Sequence, residues 1–315
     1  MFLIFEQKTT QKGSHMEELE VIELFCLVDD FTKQFNEMCS QEAVAYKKKK
    51  IRNRESRTSL AEVMTILLLF HRSNYRTFKH FYLRHVKLVL NHLFPRLVGY
   101  PRFIQMVSET FFPMFCFVKE HQGVSKGIHF VDSTVLTSCH VKRASSHKTF
   151  KGTAKWGKTT VGWFFGFKLH LVINHHAEIV AFRLTAGNVD DRVPVPEMLN
   201  GKKGRVYADR GYIGEKLFKI LIENGILLFT KLKKTMKNKL MPLWDRVMLR
   251  KRALIESVIN LLKTNCQIEH HRHRGKWNFF SHLLSGLGAY CLRPDKPRLF
   301  FPKQELEEIN LLETV

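Results

Sequence analysis

The sequence predicts an α/β layer fold preceded by an all-helical module, and three observations carry that expectation. Apolar residues recur at helical spacing through roughly the first 122 residues. From about Gly123 onward, short β-rich runs alternate with helical stretches, which is the texture of a layered α/β domain. The chain of 315 residues is 44% hydrophobic and 25% charged, ordinary globular values that allow a packed core.

Residues 1–15 read as an appended or upstream extension, because Gly13-Ser14-His15-Met16 resembles a cloning scar. Leu19, Ile22, Phe25, Cys26, Phe31 and Phe35 mark a helix from Glu17 to about Tyr46. A run with seven basic residues and one acid follows at 47–57. Ser59, with Glu62 three residues on, should cap a helix through Phe70. Further helices are expected near Tyr75–Phe94 and Arg102–His121, which completes a helical module over 16–122. Ile128–Val131 then reads as a short strand ending at Asp132. Trp163–Ile173 and Glu178–Thr185 read as strands joined through His175-His176-Ala177, and Arg205–Ala208 as a strand ending at Asp209. A helix near Glu215–Asn224, a strand Ile226–Leu232 and one long helix from about Val247 to Thr264 follow. Residues 123–298 thus form the α/β part and 299–315 an acidic tail.

Charge narrows the function. Lys and Arg number 51 against 29 Asp and Glu, a net of +22. Residues 1–46 hold three Lys and nine acids, and 299–315 one Lys and four Glu. Residues 47–298 therefore carry 47 basic and 16 acidic residues, a net of +31. Such a field concentrates phosphate-bearing polymers and weakens with salt. No apolar run approaches the roughly 18 residues of a membrane span, and Met1–Phe5 lacks the features of a signal peptide. The six cysteines form no C-x-x-C pair. Cys266 with His270, His271 and His273 lacks the second paired set that zinc sites of the usual kind need.

Within the basic region acids are scarce, so their places are informative. Between Asp132 and Glu178 there is no carboxylate and there are seven Lys or Arg. Asp132 and Asp209 follow apolar strands, where catalytic groups commonly emerge from α/β sheets. Glu256 shares one face of the long helix with Arg252 and Lys263, opposite Leu254, Ile255, Val258, Leu261 and Leu262. Carboxylates converging in a basic cleft can clamp two Mg²⁺ or Mn²⁺ ions for in-line attack on a phosphodiester. Singly, the three have plainer roles: a helix cap, a structural turn and an i, i+4 ion pair. Asp190 and Asp191 are rivals for the second carboxylate, although they pair readily with Arg192.

Asp132-Ser133-Thr134, Asp209-Arg210-Gly211-Tyr212-Ile213-Gly214 and Arg252-x-x-x-Glu256-x6-Lys263 resemble the motifs of DDE transposases of bacterial insertion sequences, most closely the insertion sequence 982 family. The resemblance runs from Met16 to about Pro294. It includes Phe78-Lys79-His80-Phe81-Tyr82 and Gly187-Asn188-Val189-Asp190-Asp191-Arg192. It implies an RNase H-like, retroviral integrase-type catalytic core preceded by an all-helical DNA-binding module. It also implies that Asp132, Asp209 and Glu256 are the metal ligands, with Arg252 and Lys263 on DNA at the element's end. The implied partners are the terminal inverted repeats and target DNA, met as a homodimer in the synaptic complex, in the cytoplasm on the nucleoid. One departure is Leu249, which stands where a related transposase group has Tyr.

Other features point to DNA with less specificity. Lys142, Arg143, Lys148, Lys151, Lys155 and Lys158, with Phe150 and Trp156 interleaved, resemble a mobile strand-binding arm. Lys233 and Lys234 belong to a lysine-rich stretch suited to phosphates. His71, His80, His85 and His92 read as packing or phosphate contacts. Two alternatives stand beside a transposase: an RNase H-like nuclease without strand transfer, and a non-catalytic DNA-binding copy.

Overall fold

The computed structural model describes residues 18–45, 57–231, 241–269 and 273–301. The extension 1–15, most of the basic run at 47–57, Lys233, Lys234, His270, His271 and most of the acidic tail lie outside the described residues. The chain divides into two compact units, 1–106 and 107–315.

In the first unit, α1 (Glu18–Ala45) packs on α2 (Leu60–Arg72). The face that α1 buries is Val21, Leu24, Val28 and Phe31, spaced as one helical stripe. Leu19 and Ile22 of the expected stripe are exposed, as is Cys26. Residues 19–28 are apolar on nearly every side, so periodicity alone could not choose the inward face. The α2 start is as expected: the Glu62 backbone N–H donates to Ser59 Oγ (3.1 Å), and the Ser59 N–H donates to Glu62 Oε2 (2.6 Å). The Tyr75–Phe94 stretch is broken into α3 (Phe78–His80), a π-helical turn (Phe81–Val86) and irregular turns. Phe78 and Tyr82 pack against Phe103 of α4 (Tyr100–Val107), and Tyr82 donates to the Val98 carbonyl at 2.7 Å. Among the expected contact histidines, His71 and His85 are buried, which makes them packing residues.

The second unit opens with α5 (Phe111–Glu120) and is built on a mixed six-stranded sheet. Its strands are β1 (Ile128–Cys139), β2 (Lys155–Lys158), β3 (Trp163–Asn174), β4 (Ile179–Ala186), then, after α6 (Val195–Met198), β5 (Gly204–Ala208), and, after α7 (Glu215–Glu223), β6 (Ile226–Thr230). The order β2-β3-β1-β5-β6 places β3 at the centre of an antiparallel meander, with β4 also on β3; β1, β5 and β6 run parallel. Alternation gives the sheet two buried faces. On one, Val131, Val172, Val180 and Val206 pack with Met198, Leu217 and Leu221 of α6 and α7. On the other lie Phe130, Phe167 and Tyr207, covered by α8 (Leu243–Arg250), α9 (Ala253–Thr264) and α10 (Lys276–Cys291). The sequence texture changes near residue 122, but the compact units part at 106/107 because α5 packs along α10. Phe111 meets Trp277 and Phe280 there at 5.0 and 6.0 Å between ring centroids.

Two expectations for this unit change. The strand ending at Asp132 continues to Cys139, because β3 pairs with it along that whole length. The long helix of 247–264 is two helices, since α8 ends at Arg250 and the first turn of α9 is closed by tight bonds from the Leu254 and Ile255 N–H groups to the Lys251 and Arg252 carbonyls. α10 was not foreseen. It is buried on nearly all sides, so it carries no amphipathic stripe.

Candidate active site

β1 and β5 position the first two carboxylates. Their parallel pairing ends at Phe130 opposite Tyr207, whose rings lie 5.7 Å apart. Asp132 and Asp209 each stand two residues beyond that last pair, on the same face of the sheet. Asp132 is therefore inside a strand yet at the point where β1 outruns its parallel neighbour. Asp209 follows β5 directly, exposed, at the start of the Arg210–Tyr212 turn.

The third carboxylate arrives on α9. Glu256 lies in that helix's first turn, and Arg252 stands at its N-cap. The Arg252 guanidinium donates to Asp132 Oδ2 at 3.0 Å and to Glu256 Oε1 at 2.6 Å, joining the two acids across the sheet–helix junction. Asp132 is 22% exposed, Arg252 17% and Glu256 56% at the side chain. Burial pushes the Asp132 carboxyl above the usual carboxylate range. The Ser133 backbone N–H, donating at 2.8 Å, and Arg252 pull it back, and the nearby Asp209 charge adds to the rise. Lys263, expected on the same face, is held by an ion pair with Glu269 instead. Leu249 is buried, so that position presents its side chain to the core.

Among the described residues, no group of three or more His, Cys, Asp or Glu lies close enough to hold a metal ion. The fit of a divalent cation rests on what occupies the gap: Asp132 and Glu256 already converge on one positive group, the Arg252 guanidinium, and their oxygens are the donors that Mg²⁺ and Mn²⁺ prefer. Cys266 and Cys291 offer no rival soft site, because burial pushes each thiol up to about 12.

The opposite face of β1 carries a polar cluster that spacing did not reveal. Lys168 Nζ lies 3.1 Å from Asp191 Oδ1, His170 Nε2 lies 2.8 Å from the Thr185 hydroxyl, and buried Tyr212 stands beside Ser133. Burial, then the Asp132 and Asp191 charges, pushes the Tyr212 phenol up. Asp190 is engaged by Arg192 Nε at 2.8 Å and Nη2 at 2.6 Å, which holds its carboxyl down at about 2. The only sequence signal for this cluster was the Gly187–Arg192 motif.

The basic segment after β1 lines a concave surface. Lys142 and Arg143 are exposed on a 3₁₀ turn, while Lys148, Lys151 and Trp156 line a 420 Å³ pocket. Phe150, expected among the stacking aromatics, is 1% exposed and packs on Phe167 and Phe279, so it belongs to the core.

Residues 122–276 match the family model described as a transposase DDE domain. That segment contains Asp132, Asp209, Glu256, Arg252 and the basic pocket. Among solved structures, the chain is similar to a piggyBac transposase in a cryo-EM synaptic complex with hairpin DNA, at 12% identity and a TM-score of 0.35. The similarity covers 64% of this chain and 48% of that one, so the chain spans about half of that protein's length. Comparison with curated proteins gives no match. Among the described residues no helix is long and apolar enough to cross a membrane.

Proposed function

We propose that this chain is a DDE-type DNA transposase of the bacterial insertion-sequence kind. The observation that carries the reading is the convergence of Asp132, Asp209 and the Arg252–Glu256 pair at the end of the β1/β5 pairing, inside the segment that matches the transposase DDE domain. An antiparallel meander followed by two parallel strands supports an RNase H-like core. In this reading Asp132, Asp209 and Glu256 are the residues that would hold two divalent ions. When bound, such ions lower the pKa of the attacking hydroxyl and stabilise the leaving oxygen.

The chain's own residues perform the remainder. Asp132 stands inside β1 and Asp209 directly follows β5, so the paired strands position both carboxylates. Glu256 rides on α9 and is tethered through Arg252. Arg252, if released from the carboxylates, would offer its guanidinium fork to a phosphate at the element's end, with Lys263 about three turns further along α9. Water attacks one phosphodiester and leaves a 3′-hydroxyl and a 5′-phosphate. That hydroxyl then attacks a target phosphodiester, forming one ester as another breaks. The substrates are terminal inverted repeats and target DNA, with two copies pairing two ends, and the helical module recognises the repeats.

The test is cleavage of a duplex carrying the element's terminal repeat, with and without Mg²⁺. Asp209→Asn should abolish cleavage while end binding is retained. Undiminished cleavage by that variant would defeat the metal assignment. Cleavage without joining of the 3′-hydroxyl to new DNA would assign a nuclease instead.

A further inference from the structure

The β2–β3 hairpin carries an aromatic and cationic face that the acidic centre does not use. Its register sets Trp156 opposite Phe165 and Lys158 opposite Trp163, and cross-strand partners share a face. Trp156 is 42% exposed and Trp163 59%. Phe165 meets the Trp156 indole edge-to-face at 5.6 Å, and the indole keeps much of its surface exposed. Lys158 Nζ lies 5.6 Å from the Trp163 ring centroid.

Beside this face lies the 420 Å³ pocket, whose size falls in the roughly 300–1,000 Å³ range that takes small organic ligands. Trp156, Phe165 and His147 supply aromatic walls; Lys148, Lys151 and Lys155 supply cations. The His147 ring is itself stacked on buried Phe150 at 5.4 Å, which fixes the wall to the core. No carboxylate occurs from residue 133 to 177, so nothing in this stretch repels an anion. The hairpin is also rigidly placed. A Cβ on Gly157 would lie 2.3 Å from the Gly187 carbonyl oxygen and 2.4 Å from the Phe164 ring, so only glycine permits this approach.

We propose that this pocket and hairpin face hold an unpaired nucleotide of the DNA, with its base against Trp156 and its flanking phosphates on Lys148, Lys151 and Lys155. Paired bases keep their faces stacked inside the duplex, so an indole can cover only a base released from that stack. Cations alone would serve any duplex phosphate; two exposed indoles beside them select an exposed base. The assignment of DNA as the polymer rests on the function proposed above.

The full chain is tested in EDTA, so that binding is read without cleavage. Fluorescence anisotropy compares a short single-stranded oligonucleotide with the same sequence as a blunt duplex, and a 2-aminopurine base reports stacking. Trp156→Ala should weaken single-strand binding roughly 10-fold and abolish the 2-aminopurine quench, while duplex affinity is unchanged. Trp156→Phe should restore most of both. Lys148→Ala with Lys151→Ala should weaken both DNAs and steepen neither salt dependence. The proposal is overturned if Trp156→Ala affects single strand and duplex alike, if it affects neither, or if anionic phospholipid vesicles displace the oligonucleotide as well as unlabelled DNA does. A chain that stacks the base but never cleaves a terminal repeat with Mg²⁺ would refute the transposase reading and leave this pocket standing.

Discussion

Arg252 serves two carboxylates at once, and that shapes what substitutions do. Its guanidinium bridges Asp132 on the sheet and Glu256 on the helix, so it both neutralises the site and pins α9 to β1. Burial raises the Asp132 carboxyl, which means the folded state holds the charged form less readily than the unfolded chain does. Above the folded pKa that difference counts against stability. Asp132→Asn should therefore reduce cleavage to background without lowering the thermal midpoint, whereas Arg252→Ala should lower it by leaving a partly buried carboxylate unpaired. Thermal unfolding at pH 7.5 checks both; a marked loss of stability in Asp132→Asn would contradict the electrostatic account. Scarce acids after apolar runs made Asp132 and Asp209 legible in the sequence. The Arg252–Asp132 bond was not, because a contact between residues so far apart leaves no local pattern. Lys263 shows the converse, where helical spacing gave the right face and the ion pair with Glu269 set the direction.

At the scale of elements, structure follows from the sequence where the local signal is sufficient. The Ser59–Glu62 cap, β3, β4, β5 and α7 each follow from caps or alternation within the segment. It does not where a neighbour decides the outcome. β1 extends past Asp132 because β3 is there to pair with it, and α10 hides its helical nature by being buried on nearly all sides, its polar Ser281, His282 and Ser285 included. The close approach of Gly157 to Gly187 is likewise invisible in sequence, yet it links the β2–β3 hairpin to the loop after β4. Gly157→Ala should destabilise the second unit by about 1–3 kcal/mol, since neither a backbone oxygen nor a packed ring can retreat cheaply. Gly211→Ala, where an added Cβ meets nothing within 4 Å, should be near neutral. Denaturant unfolding of the two variants tests the contrast.

Across the whole molecule, stability is tied to neutral buried histidines. His129 on β1 and His170 on β3 are 1% and 0% exposed, and burial pushes each down to about 4. The unfolded chain takes up these protons near pH 6.5 and the folded chain only near 4. Stability is therefore intact above pH 6.5, falls as pH drops through the interval, and levels off for these groups below about 4. Each histidine accounts for on the order of 3 kcal/mol across that window. Asp190, held near 2, adds its loss only at lower pH. Urea midpoints between pH 7.5 and 4 should show the decline, and His129→Gln should flatten it; an unchanged slope would refute the assignment.

The placement of α10 has a consequence for how such a domain can be excised. The recognisable transposase segment stops at residue 276, where this helix begins, and α5 ends before residue 122. Yet Phe279 stacks on Phe167 of the central strand, and the Tyr290 hydroxyl donates to the Ala177 carbonyl at 2.7 Å. A fragment trimmed to the family boundaries would keep Asp132, Asp209 and Glu256 and expose the middle of its sheet. In this chain the portion that matches the family is shorter than the portion that shelters its sheet from water.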